Sequence, residues 1–278
     1  MDNFVMMDWA FLLSGMFVLA ATAGFLAGLL GIGGGLVLVP GLYFVLTTLG
    51  YDNPDIMHLA VGTSLATIVA TGMSSARAHY KKGNVHFDLV KKIGMGMVIG
   101  VGIGTIIASI VSGLWLQIFF AVTLIILAGL MRVNPEKITF TEEMPSQPWP
   151  AIAGSFIGIV CTLMGIGGAA LNVPYMTMHN VPIHRAIGSS ATMGLLIAIP
   201  GAIGFLIIGW GHHTGMPPLT FGYINLLALA VIIPVTVLFA PLGVHVGHKL
   251  SVKKMRQVFS IFMIIIALRM IYEVMSAF

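Results

Sequence analysis

The sequence predicts an all-α integral membrane protein made of two homologous halves in an inverted-topology repeat, with about eight to ten transmembrane segments and a glycine-broken hairpin in each half. Three observations carry that expectation: an apolar composition, a glycine break that occurs twice, and basic loops that change sides between the halves. Of 278 residues, 58% are hydrophobic and 8% charged, and mean hydropathy is +1.02. Soluble domains carry roughly 25% charged residues. A net charge of +4 could suggest nucleic acid as a partner, but loop placement accounts for it. No basic stretch precedes the first apolar run after Met1-Asp2-Asn3-Phe4, so that run is expected to be an uncleaved span. The single cysteine, Cys161, excludes a disulfide framework and a CxxC pair.

Windows of about 20 apolar residues define the segments. The first half supplies Trp9–Leu30, Leu36–Leu49, Leu59–Ser75, Ile93–Val111 and Leu116–Met131. The second supplies Pro150–Met164, Ala169–Met178, Ala186–Trp210, Phe221–Val246 and Val258–Met275. Between them runs a polar, proline-containing stretch. The expected organisation is a first repeat at 1–133, a cytoplasmic linker at 134–149 and a second repeat at 150–278.

Lysine and arginine are retained on the cytoplasmic side. Arg77, Lys81, Lys82, Lys91 and Lys92 cluster between the third and fourth segments, and Lys249, Lys253, Lys254 and Arg256 between the ninth and tenth. Arg132, Lys137 and Arg185 fall in loops of the same side, which leaves only Arg269 of thirteen elsewhere. Both termini are then outside.

The repeat extends well beyond the glycines. Gly31-Ile32-Gly33-Gly34-Gly35…Val39-Pro40 corresponds to Gly165-Ile166-Gly167-Gly168-Ala169…Val173-Pro174. His58, Ala60, Gly62, Thr63 and Ser64 correspond to His184, Ala186, Gly188, Ser189 and Ser190, and Gly83-Asn84-Val85 to Gly222-Tyr223-Ile224. The basic loop of one half matches an uncharged loop of the other, so the two halves are expected to lie oppositely in the bilayer, as in many secondary transporters.

Ala169–Met178 has ten residues, about 15 Å of helix, against a hydrocarbon core of about 30 Å. Eight full spans with two hairpins and ten short spans are both admissible. Irregular backbone at membrane depth persists only where protein or water satisfies it. The helix after each glycine run presents free N–H groups that attract an anion, and glycine lets a ligand approach the backbone. The competing reading is close helix packing, and Gly96, Gly100 and Gly104 are read as packing alone. Opposed hairpins would meet near the midplane, which makes Gly31, Gly33, Gly34, Gly35, Gly165, Gly167 and Gly168 candidate substrate contacts.

Thr63, Ser64, Ser189 and Ser190 are further candidates, because hydroxyls donate to oxyanions; their alternative is bonding back to their own helix. Asn172 stands where the first copy has Leu38, an asymmetric candidate contact. Arg77 could draw anions to a cytoplasmic entrance or meet a lipid headgroup. His58 and His184 are candidates for helix capping or proton coupling. No carboxylate lies mid-span, so the embedded acid relay of many pumps is absent. No metal set, cofactor, catalytic nucleophile–base pair or nucleic-acid surface is expected. A small anion and membrane lipids are the expected partners, and a homo-oligomer is allowed.

The G-x-G-G-G…V-P opening, the A-x-G-T-S segment, the His79-Tyr80-Lys81-Lys82-Gly83-Asn84-Val85 loop and their second-half versions resemble the TauE/SafE sulfite-exporter family, from about Ala23 to Tyr272. The resemblance implies transport of sulfur-containing anions, such as sulfite, sulfoacetate or related organosulfonates, across a bacterial inner membrane. It leaves open uptake, another oxyanion such as sulfate, and a gated anion channel; an intramembrane enzyme or redox carrier is the more distant reading. Ala169 departs from the triple glycine.

Overall fold

The computed structural model describes residues 2–276 except 31–33, 52, 133–140, 142, 213 and 248–251. Its helices are α1 (Asp2–Leu30), α2 (Gly35–Thr48), α3 (Ile56–Lys81), α4 (Phe87–Ile110), α5 (Gly113–Arg132), α6 (Trp149–Met164), α7 (Ala169–Met178), α8 (Ile183–Ile208), α9 (Leu226–Gly247) and α10 (Val252–Ser276). A two-residue antiparallel pair, β1 (Thr220–Phe221) and β2 (Ile224–Asn225), precedes α9. Among the described residues, six helical stretches are long and apolar enough to cross a membrane: α3, α4, α5, α8, Leu226–Gly243 and Gln257–Ser276. Leu13–Ala27, Gly35–Thr48 and Trp149–Met164 are shorter apolar stretches.

Hydropathy windows miss helix ends, where polar turns extend a helix into water. Thus α3 begins at Ile56 and α4 at Phe87, several residues before their apolar runs. The ninth segment departs the other way: the chain stays non-helical from Phe221 to Asn225. Gly222 adopts a φ of +54° there, and the Tyr223 N–H donates to Phe205 O at 3.1 Å. Asn225 then caps α9, its Oδ1 accepting the Ala228 N–H at 2.8 Å.

The helices pair in a pattern that survives exchanging each of the first five for the one five places later. α1 packs along α9 as α6 packs along α4; α2 packs on α3 as α7 packs on α8; α3 crosses α8 and α5 crosses α10. The α4–α6 contact shows why small residues are needed. Side chains at Gly96 and Gly100 would run into the carbonyls of Ala151 and Ser155, and one at Gly104 would meet Ile159. From the other helix, Gly154 and Gly158 meet Ile93 and Met97 in the same way. This repeating four-residue approach is close packing of small residues, as the spacing of Gly96, Gly100 and Gly104 suggests. Beyond Lys91 and Lys92 near its start, the largest outward side chains of α4, including Met95, Ile99, Ile106 and Ile110, are apolar and exposed, as a lipid-facing surface requires.

The loops gather by end. Asn53 Nδ2 donates to Thr214 O at 2.7 Å, and Gly113 lies against the Pro54 carbonyl. Three loops free of lysine and arginine therefore meet at one end. Away from them, Gln147 Nε2 donates to Lys92 O at 2.8 Å, which places the end of the polar stretch beside the basic start of α4.

Candidate functional site

The second glycine break is built from conformations that only glycine adopts readily. Gly165 closes α6 in the left-handed region at φ 65°, and Gly168 opens α7 at φ 81°. A side chain on Gly165 would strike Val39 and the Val61 backbone. One on Gly35 would come within 2.6 Å of the Gly165 carbonyl oxygen. That carbonyl also accepts from Ser64 Oγ at 2.8 Å. Gly35, Ser64 and Gly165 therefore converge, and the two glycine segments touch. Gly34 caps α2. Gly167 lies between Ile68 of α3 and Gly194 of α8. Gly31 and Gly33 lie outside the described residues.

Asn172 stands in the first turn of α7 and is fully buried. Neither its Oδ1 nor its Nδ2 has a hydrogen-bond partner. A side chain on Gly168 would come within 2.9 Å of Asn172 Nδ2, so the amide lies against the backbone where α7 begins. Ser190, on the facing helix α8, is also fully buried with an unpaired hydroxyl. Thr162 Oγ1, just before the break, is the same. Sequence reasoning missed Thr162. The signal was present, since a polar residue there replaces Gly28 of the first copy just as Asn172 replaces Leu38.

Thr63 and Ser189 also accept backbone N–H groups. Thr63 Oγ1 accepts the Asn225 N–H at 3.0 Å, and Ser189 Oγ accepts the His86 N–H at 3.0 Å. Next to them, Gly62 lies against the Tyr223 carbonyl and Gly188 against the Asn84 carbonyl. These are matched contacts in the two halves, and they tie α3 and α8 to the entries of α9 and α4. The lower hydroxyls of α3 bond back to their own helix, Thr67 to Thr63 O at 2.9 Å and Thr71 to Thr67 O at 3.1 Å.

The paired histidines occupy different settings. His58 is 2% exposed; its Nε2 lies 3.0 Å from Ala108 O, and its ring stacks on Tyr223 with centroids 5.1 Å apart. His184 is exposed. Asp55 lies at the centre of a polar group at the His58 end. Its carboxylate is 3.1 Å from His212 Nδ1 and 3.8 Å from His58 Nδ1. Burial first, then the Asp55 charge, pushes the Tyr223 phenol upward, which keeps it a donor. Arg77 is exposed. Arg269 pairs with Glu273 at 3.6 Å and lies over the Phe44 ring. Among the described residues, no group of three or more His, Cys, Asp or Glu is placed to hold a metal ion.

The sulfite exporter TauE/SafE family matches residues 16–270. The chain belongs to this family. A Haemophilus influenzae protein described as a probable membrane transporter is similar to this TauE/SafE member, 37% identical across 91% of this chain and 96% of the relative. The Bacillus subtilis protein YunE, with the same description, is 27% identical over 92% of this chain and 96% of its own length. A Methanocaldococcus jannaschii protein, also so described, is 28% identical over 90% and 91%. No solved structure matches the chain. Membership and the six apolar spans make this a multi-pass membrane transporter.

Proposed function

We propose that this TauE/SafE member is a secondary transporter of small sulfur-containing anions, exporting sulfite or an organosulfonate by alternating access of two inverted halves. The observation that carries the reading is the buried, unpaired Asn172 amide at the positive end of α7, beside the glycine break and facing the α8 that bears Ser190. An interior polar group without a partner costs about 1–3 kcal/mol, and a polar ligand removes that cost. The N-terminal end of α7 favours negative charge there. The family's sulfite-exporter description supports the substrate class. The matched helix pairings and the matched Thr63–Asn225 and Ser189–His86 contacts support the two-fold relation. The complementary charges of equivalent loops support the inversion, with both termini outside and a cytoplasmic linker.

In this reading the chain sits in a bacterial inner membrane. The inside-negative potential drives each negative charge outward by about 2.3 kcal/mol per 100 mV, so export needs no buried acid relay. Asn172, Ser190, Gly167, Gly168 and the α7 N–H groups contact the ligand. Ser64, Gly35 and Gly165 shape the junction of the breaks, and Thr63 and Ser189 hold the scaffold.

Counterflow in proteoliposomes tests this. Saturable, voltage-sensitive counterflow of sulfite or an organosulfonate is expected. Flux without counterflow would make the protein a gated channel, and flux confined to sulfate would move the substrate to another oxyanion. No saturable anion flux would sink the proposal.

A further inference from the structure

The unpaired polar side chains at the breaks all belong to the second half. Asn172, Ser190 and Thr162 are free among the described residues. Their first-half counterparts are Leu38, Ser64 and Gly28. Leu38 is apolar and buried, Ser64 already donates to Gly165 O, and a glycine has no side chain to offer. A two-fold scaffold therefore carries a one-sided site.

Its charge balance is equally particular. No Lys, Arg, Asp or Glu is buried among the described residues, and Arg77 and Arg185 are exposed. Among the described residues, only the N-termini of α7 and α2, each equivalent to about half an elementary charge, and neutral donors are present at the junction to stabilise an anion. The Born cost of removing an ion from water grows with the square of its charge, so a dianion costs roughly four times what a monoanion does. Nothing at the break offsets that difference.

The Asn172 amide adds a second criterion. Whichever way the amide is turned, it presents one NH₂ donor group and one carbonyl acceptor, and both are unpaired. Anion oxygens satisfy the NH₂ group and the Ser190 hydroxyl. Only a ligand with a donor of its own satisfies the carbonyl.

We infer that the second half supplies the polar side chains of the binding subsite, and that this subsite selects a singly charged oxyanion bearing a hydrogen-bond donor. Hydrogen sulfite and hydroxyl-bearing monosulfonates fit this class; sulfate and sulfoacetate, as dianions, do not. This inference rests on the anion-transport reading above.

Flux into proteoliposomes of the purified full chain separates the two. The probes are 2-hydroxyethanesulfonate, methanesulfonate, sulfoacetate, sulfate and, at mildly acid pH, hydrogen sulfite. A missing hydrogen bond to the Asn172 carbonyl corresponds to about five- to tenfold. 2-Hydroxyethanesulfonate should therefore half-saturate at about five- to tenfold lower concentration than methanesulfonate, with no saturable flux of sulfate or sulfoacetate. Asn172→Leu should weaken both monosulfonates and bring their ratio to about one. A wild-type ratio near one, or dianion flux equal to monoanion flux, overturns the selection while leaving anion transport standing. No saturable flux of any probe overturns the transport reading itself.

Discussion

Replacing Asn172 with leucine should make the ligand-free protein more stable and a poorer transporter. Asn172 is fully buried with both polar ends unpaired. Each such group costs about 1–3 kcal/mol relative to water. In a membrane the unfolded reference is itself poorly hydrated and polar contacts are worth less, so a gain of about 1–2 kcal/mol for the whole side chain is the sounder expectation. Leucine fits the local backbone, because the first half carries Leu38 at the same place in its hairpin, at 1% exposure. At about 2–4 °C per kcal/mol for a chain of this order of size, the melting midpoint should rise by about 2–8 °C.

Thermal unfolding in detergent, with and without a monosulfonate, reads this out. Ligand at about 100 times its dissociation constant stabilises the native state by about 2.7 kcal/mol, so wild type should gain clearly more from the same ligand concentration than the variant. The reasoning fails if Asn172→Leu melts below wild type and still transports. Asn172 would then be a structural residue whose partner is ordered water.

Thr63→Val should lower stability by about 1–3 kcal/mol, because it strands the Asn225 N–H; Ser189→Ala should do the same through His86. Equal melting curves would show that these hydroxyls are not structural. Gly100→Leu should cost about 3 kcal/mol, the upper range for overpacking, since its side chain enters the Ser155 carbonyl. Gly102→Leu, two residues along with nothing within 4 Å, should melt like wild type, and similar losses for both would undo the packing account. Asp55→Asn weakens the contacts to His212 and His58. Added to Leu59→Cys, at a position fully buried here, it should speed reaction with an impermeant maleimide from outside about tenfold. An unchanged rate would mean that this cluster does not hold that end closed.

What could be read from the sequence follows from what repeats. The halves announce themselves because Gly62, Thr63 and Ser64 recur as Gly188, Ser189 and Ser190, and the α4–α6 contact because Gly96, Gly100 and Gly104 keep a helical spacing. The functions of those repeated residues were less legible. Thr63 and Ser189 have the chemistry of anion donors, yet each accepts a backbone N–H from a segment more than 100 residues away in sequence. No local pattern encodes that. The non-helical stretch before α9 was hidden for a related reason: Phe221 to Ile224 is apolar enough to read as span, and the signal that starts the helix later is the single cap Asn225. His58 and His184 are equivalent by sequence, but burial of a titratable ring depends on Tyr223 and Ala108 arriving from elsewhere.

The candidate site lies where the repeat is broken rather than where it is kept. Matched contacts, such as Gly62 on Tyr223 and Gly188 on Asn84, have to persist in both halves because each maintains a helix crossing that the other mirrors. Ligand contacts escape that requirement, since one small anion at a junction cannot meet two copies of every donor. The difference between Asn172 and Leu38 therefore leaves the scaffold intact, and in the proposed reading it sets what the junction binds. The same logic applies to the two ends. Ile56, Met57, His58 and Leu59 are each no more than 2% exposed, whereas Pro182, His184 and Arg185 of the equivalent turn are exposed. A two-fold carrier caught in one state must look different at its two mouths, because access to a shared site requires one end to be sealed while the other is open. In the alternating-access reading, the cluster around Asp55 supplies that seal, and the loop before α8 has no acid to make its counterpart.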